Sequence, residues 1–224
     1  MSFNKINNLD FDYSNLYYSG DDLGVIVDGD FTSFKIWAPA AEKVELLLLK
    51  DENYNSIKKK FSLEKNSNGC WGNYVSENLA GNYYLFVIDY GECQFEVIDP
   101  YARAVSTNSK FGYIVDLSKT NPVGWKNDKR VKLEKATDAV IYEVHVKDFS
   151  ISSESGIELK GEYLAFTERG TKNRYGFQTG IDHLKDLGIT HVHLLPVFDF
   201  ATVDDNNSRD YNWGYDPYYY NVPE

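Results

Sequence analysis

Between residues 23 and 98, apolar and polar positions trade places in short runs, and turn-forming residues separate the runs. Residues 23–28, 32–38, 44–50, 57–63, 70–75, 83–89 and 94–98 each read as a β-strand. The turns between them carry Asp28-Gly-Asp, Asn66-Ser-Asn-Gly, Ala80-Gly-Asn and Tyr90-Gly. Strands at this spacing, with no helical period among them, predict an immunoglobulin-like β-sandwich. Asp99-Pro100 closes the last of them, because proline has no N–H to pair onward. Residues 111–117 predict one more strand, and Asn121-Pro122 breaks the pattern before the charged stretch Asn127-Asp-Lys-Arg130.

From residue 136 the period changes. Residues 140–146 predict a strand. Residues 179–187 predict a helix, with Ile181, Leu184 and Leu187 near helical spacing and Gly188 as its C-terminal cap. Residues 189–195 predict a second strand that ends at Pro196. This β–α–β order implies parallel strands joined by a right-handed crossover. A long segment rich in Gly, Ser and Glu lies between Phe149 and Phe177; in a barrel it would sit on the face where βα-loops carry function. The expected organisation is a lead-in over residues 1–16, a sandwich over 17–117, a connector over 118–135, and the first βαβ part of a (β/α)8 TIM barrel, incomplete, over 136–224.

Composition narrows the partners. The 224 residues suffice for one large or two small domains, and 42% are hydrophobic, enough for a real core. A formal net charge of −11 argues against nucleic acid and against anionic membrane, both of which need a basic face. A neutral polymer needs no such complement. The N-terminus lacks the basic-then-apolar pattern of a signal peptide, and the longest aliphatic run, Val44-Glu-Leu-Leu-Leu-Leu49, is too short to span a bilayer. Cys70 and Cys93 lack a Cys-x-x-Cys spacing, so two free thiols and a cytoplasmic location are expected. Oligomeric state stays open.

The candidate chemistry lies in Tyr211-Asn-Trp-Gly-Tyr-Asp-Pro217, a loop after the strand that ends at Pro196. Aromatic faces beside a carboxylate suit a sugar ring, whose C–H faces stack while its hydroxyls bond to the oxygens. The plainer reading is a Tyr-rich surface loop. Tyr215 is the foremost ligand contact. Asp216 either bonds sugar hydroxyls or caps the turn before Pro217, and Trp213 is a further candidate substrate contact, with packing of the loop favoured over it. Trp71, at a strand start, is either a glucan-stacking platform or core, with core favoured because large aromatics are mostly buried. Trp37 reads as core or as a domain contact. Glu143 and His145 would point to one side of their strand, where in a barrel both face the polar interior beneath the site or one helps to hold it, a structural role being favoured; His191 and His193 share a face of theirs. A metal would need three or four ligands, and no further ligand is visible; no metal and no cofactor are expected.

Several segments in this order resemble a known family. Asp138-Ala-Val-Ile-Tyr-Glu-Val-His-Val-Lys-Asp-Phe149, Thr179-Gly-Ile-Asp-His-Leu-Lys-Asp-Leu-Gly188 and the strand after it resemble the opening of the barrel in the alpha-amylase superfamily, glycoside hydrolase family 13. Leu194-Leu-Pro-Val-Phe-Asp-Phe200 with the 211–217 heptapeptide looks like type I pullulanases, and Phe34-Lys-Ile-Trp-Ala-Pro-Ala-Ala41 resembles the carbohydrate-binding module that precedes their barrel. The resemblance runs from about residue 17 to 224. It implies a starch-debranching hydrolase acting on α-1,6 bonds of a branched α-glucan (pullulan, starch or glycogen) by a retaining two-carboxylate mechanism. It implies that Tyr215 matches the tyrosine stacked under the sugar beside the scissile bond. The family's nucleophile and general acid lie on later strands; no catalytic residue is assigned here, and this chain alone is expected to be inactive. An isoamylase- or glycogen-branching-type enzyme and a non-catalytic glycogen-binding protein remain alternatives, the second opposed by the barrel-like segment after residue 136.

Overall fold

The computed structural model describes residues 12, 14, 16–66, 68–207 and 210–224, so the expected lead-in over 1–16 lies almost wholly outside the described residues. The described residues form two compact units. The first holds those up to Pro122, with 204–207 and Tyr219–Pro223. Its strands are β1 (Gly24–Asp28), β2 (Phe31–Trp37), β3 (Lys43–Leu49), β4 (Ile57–Ser62), β5 (Glu64–Lys65), β6 (Cys70–Val75), β7 (Tyr83–Asp89), β8 (Gln94–Val97) and β9 (Gly112–Tyr113). One sheet runs β1-β2-β6-β5 and the other β4-β3-β7-β8, with β9 also on β7. Every pairing is antiparallel. The sandwich expected from the alternation is present.

Alternation explains which side chains meet between the sheets. Phe34 and Ile36 of β2, Val44, Leu46 and Leu48 of β3, and Tyr84, Phe86 and Ile88 of β7 form the buried core. The aliphatic run on β3 is apolar at odd positions too because its second face is also covered. There Leu47 and Leu49 join Leu85 and Val87 under Phe111. Phe111 precedes a strand much shorter than the expected 111–117: only Gly112 and Tyr113 pair, against Tyr84 and Tyr83. Leu117 instead starts a short 3-10 turn, whose Asp116 accepts a bond from the Ser118 N–H. An Asx-type turn has outcompeted β-pairing at that end.

The second unit holds Val123–Val203, residues 210–218 and Glu224. It contains β10 (Ile141–Val144), α1 (Val146–Ser150), α2 (Gly180–Asp186), β11 (His191–Leu194) and β12 (Phe198–Phe200). Strand β13 (Pro217–Pro223) begins in it. β10 and β11 pair in parallel, Ile141 opposite His191 and Val144 opposite Leu194, as the β–α–β order requires. Leu184 of α2 is buried, and Gly188 takes a φ of +74° just past the helix end, a conformation that favours glycine. The described residues hold this one parallel pair and not a closed barrel.

Two sequence expectations need correction here. β10 stops at Val144 rather than residue 146, because His145 caps α1: its Nδ1 accepts from the Asp148 N–H at 3.3 Å. A local cap has overridden the β-branched character of Val146. Glu143 and His145 therefore do not share a strand face. Glu143 meets His193 across the parallel register, Oε2 to Nδ1 3.2 Å. Among the described residues no group of three or more His, Cys, Asp and Glu could hold a metal ion. No helix among them is long and apolar enough to cross a membrane.

Candidate functional site

The 211–217 loop is held from below by the start of α1. The His145 ring accepts at Nδ1, so its proton is on Nε2, which donates to the Asn212 carbonyl at 2.8 Å. The Lys147 ammonium donates to the Asp210 carbonyl at 2.6 Å. The Tyr211 hydroxyl donates to Asp148 Oδ2 at 2.6 Å, and its ring lies over His145 with centroids 4.9 Å apart. That bond to a carboxylate holds the Tyr211 phenol above its ordinary pKa.

Asn212 ties the loop to itself. Its Oδ1 accepts from the Gly214 N–H at 2.7 Å, and its amide donates to Thr202 Oγ1 at 2.8 Å. Thr202 in turn donates to Asp216 Oδ2 at 2.6 Å. Bonds from Thr202, and then Asn212, hold the Asp216 carboxyl below the usual carboxylate range. The Asp216 carbonyl accepts from the Ala201 N–H at 2.9 Å. Gly214 is buried with φ +87°, and a Cβ on it would lie 2.1 Å from the Pro196 carbonyl oxygen. Only glycine lets the loop pass this close to the end of the β11 segment.

Asn212, Gly214 and Asp216 carry these ties, and Trp213 and Tyr215 between them face outward. Trp213 is 62% exposed and Tyr215 68% exposed. Asn212 and Gly214 hold the loop, and the Trp213 ring lies on its outer side. Tyr215 sits between the tied Gly214 and Asp216, with its ring open. Asp216 sits between the two sequence alternatives. It bonds Thr202 within the loop, yet remains charged and part-exposed. Of these supports, the sequence offered His145 in a structural role beneath the site, while Lys147, Asp148 and Thr202 went unread as parts of it. For Lys147 and Asp148 the sequence signal was that 138–149 belonged to the same resemblance as 211–217.

Trp71 lies elsewhere and is no platform. It is 7% exposed, and its indole N–H donates to the Ala38 carbonyl at 2.9 Å. β6 pairs with β2 at Trp71 opposite Ile36, which turns the ring into the inter-sheet core. Trp37, at the end of β2, is half-exposed, with its indole donating to Asn68 O at 3.2 Å.

The described residues thus hold an antiparallel β-sandwich and a second, α/β unit that carries an aromatic loop. Residues 22–102 match the family Carbohydrate-binding module 48 (Isoamylase N-terminal domain). The chain is homologous to the N-terminal portion of the pullulanases. It is 39% identical over 209 residues to a pullulanase of Bacillus subtilis, covering 93% of this chain and 28% of the relative. It is 31% identical to the chloroplastic pullulanase 1 of Arabidopsis thaliana, over 90% of this chain and 25% of that protein. Its fold superposes on a pullulanase structure from Bacillus acidopullulyticus with a TM-score of 0.89 at 49% identity, over 94% of this chain and 26% of the other. A pullulanase from Paenibacillus barengoltzii, solved with maltohexaose and alpha-cyclodextrin, also gives 0.89, at 43% identity, covering 94% of this chain and 33% of the other. The chain thus spans about a third or less of the length of these relatives.

Proposed function

We propose that this chain is the N-terminal part of a starch-debranching glycoside hydrolase acting on α-1,6-glucosidic bonds of pullulan, starch or glycogen. The sandwich serves as a glucan-binding module. The β10–α2–β11 unit opens a (β/α)8 barrel, and the 211–217 loop is part of the substrate cleft on that barrel's C-terminal face. The reaction is retaining, with a carboxylate nucleophile and a carboxylic acid that protonates the leaving oxygen. Neither carboxylate is assigned to this chain, whose own contribution is to bind and orient the glucan. A cytoplasmic setting goes with the two free cysteines.

One observation carries this reading. Tyr215 is exposed on a loop whose backbone is tied at Asn212, Gly214 and Asp216. A stacking face held this firmly supports a distorted sugar ring without an ordering cost at the moment of reaction. In the complete enzyme, Tyr215→Ala should lower kcat on pullulan about tenfold or more while KM changes less, because support of the distorted ring matters most in the transition state. A normal kcat in that variant would remove Tyr215 from the cleft. Product linkage analysis in the same assay separates debranching from branching activity.

A further inference from the structure

The sandwich carries a groove whose lining holds no charged side chain among the described residues. Its volume is about 500 Å³, and Tyr17, Trp37, Tyr90 and Tyr101 stand around an aliphatic floor that includes Leu23 and Val97. Volumes of this order suit small-molecule sites. We infer that this aromatic groove, rather than either sheet face, is where the module takes an α-glucan chain. The inference rests on the glucan-binding reading of the sandwich and adds its location.

Three turns set three of the four rings, and each is fixed by its own bonds. Trp37 ends β2 and is anchored by its indole N–H on Asn68, leaving it 38% exposed. Tyr90 opens the β7–β8 turn, its N–H donating to the Cys93 carbonyl at 2.9 Å and its ring edge-on to Phe95. Tyr101 follows Asp99-Pro100, its N–H donating to Asp99 Oδ1 at 2.8 Å, and is 54% exposed. Gly24, at φ +98°, lets β1 begin against that turn; a Cβ there would lie 3.0 Å from the Tyr101 carbonyl oxygen. Rings presented from rigid turns lose little entropy on binding. Tyrosine and tryptophan offer apolar faces to sugar C–H groups and polar tips to hydroxyls.

The number of stacking faces separates this groove from a second concavity of the sandwich. That concavity, on the face of β2 and β6, is lined by Asp22, Lys35, Glu64 and Lys65 beside Tyr74. Lys35 pairs there with Asp22. Tyr74 is the one exposed ring in that lining, because Phe34 is buried in the core. The aromatic groove brings four rings together, enough to stack successive sugars of one chain.

The test is affinity electrophoresis of the full chain in glycogen gels, with maltoheptaose titration for the constant. Tyr101→Ala should weaken binding about tenfold, and Tyr17→Ala with Tyr101→Ala should abolish it. Tyr74→Ala should bind as the wild type, and near-ultraviolet circular dichroism should show every variant folded. If the groove variants are retarded like the wild type, or if Tyr74→Ala alone loses binding, the site is elsewhere and only this inference fails. If the wild-type chain is not retarded at all, the glucan-binding reading of the sandwich fails and takes the groove with it.

Discussion

Asp99 concentrates the buried charge of the sandwich on one carboxyl group. It is fully buried, and Oδ2 accepts from the Tyr84 hydroxyl at 2.8 Å while Oδ1 accepts from the Tyr101 N–H at 2.8 Å. The Tyr219 hydroxyl donates to its carbonyl. Burial pushes the carboxyl from an ordinary 3.8 up to about 6, against the pull of the Tyr101 and Tyr84 bonds. A raised carboxyl pKa means the folded chain holds the proton more tightly than the unfolded chain. The destabilisation is therefore absent below about pH 4, grows between about 4 and 6, and is complete above 6. Its size is on the order of 3 kcal/mol. Asn has the same shape, can accept from Tyr101 and can donate to Tyr84. Asp99→Asn should thus melt higher than the wild type at pH 7, with the gap closing by pH 4; a gap that ignores pH would refute the buried ionisation. From the sequence, Asp99-Pro100 read only as a strand stop. Its burial was illegible there, because the groups that enclose it, Gly24, Tyr84 and Tyr219, come from three other segments of the chain.

At the scale of elements, the 211–217 loop shows how a flexible-looking composition becomes a rigid presenter. Its anchor is Gly214, whose φ and missing side chain are both required by the Pro196 carbonyl. Gly214→Ala would combine backbone strain with a clash, costing roughly 1–3 kcal/mol or forcing the loop off its supports. The expected result is rapid amide exchange across residues 211–217 and across α1, which with its cap His145 supports the loop, with the sandwich unchanged. Protection retained in the loop would show that Pro196 yields instead. The heptapeptide was legible as a candidate site because its residue types are unusual together. Its alternation of tied and exposed residues was not, since the ties run to α1 and Thr202. The shortened β10 has the same cause: a cap formed by His145 with Asp148 decided against a strand that propensity favoured.

For the whole molecule, the two units differ in how completely they bury their apolar strands. The sandwich closes on itself through two sheets and a shared core. The second unit offers a two-stranded parallel sheet in which Ile141 and Val192 are exposed, along with Tyr175 and Phe177. Parallel strands are normally covered on both faces, and open edges invite association. Amide exchange of this chain should therefore be slowest in β2, β3, β6 and β7 and fast in β10 and β11, or the chain should self-associate through the second unit. Equal protection of β3 and β10 in a monomer would show the second unit to be self-sufficient.

The sequence by itself determined the strand alternation of the sandwich, its turns, the parallel β–α–β order and the residue types of the aromatic loop. These are local properties: side-chain period, turn chemistry and caps act over a few residues, so a linear reading reaches them. Tertiary structure alone decided which aromatics are buried and which are displayed. Trp71 faces inward because β6 pairs with β2 in one register and not the next. Trp213 faces outward because Asn212 and Gly214 take the inner positions, and Asp99 is buried because distant strands close over it. Exposure belongs to the neighbours a side chain meets, and those neighbours come from segments far away along the chain.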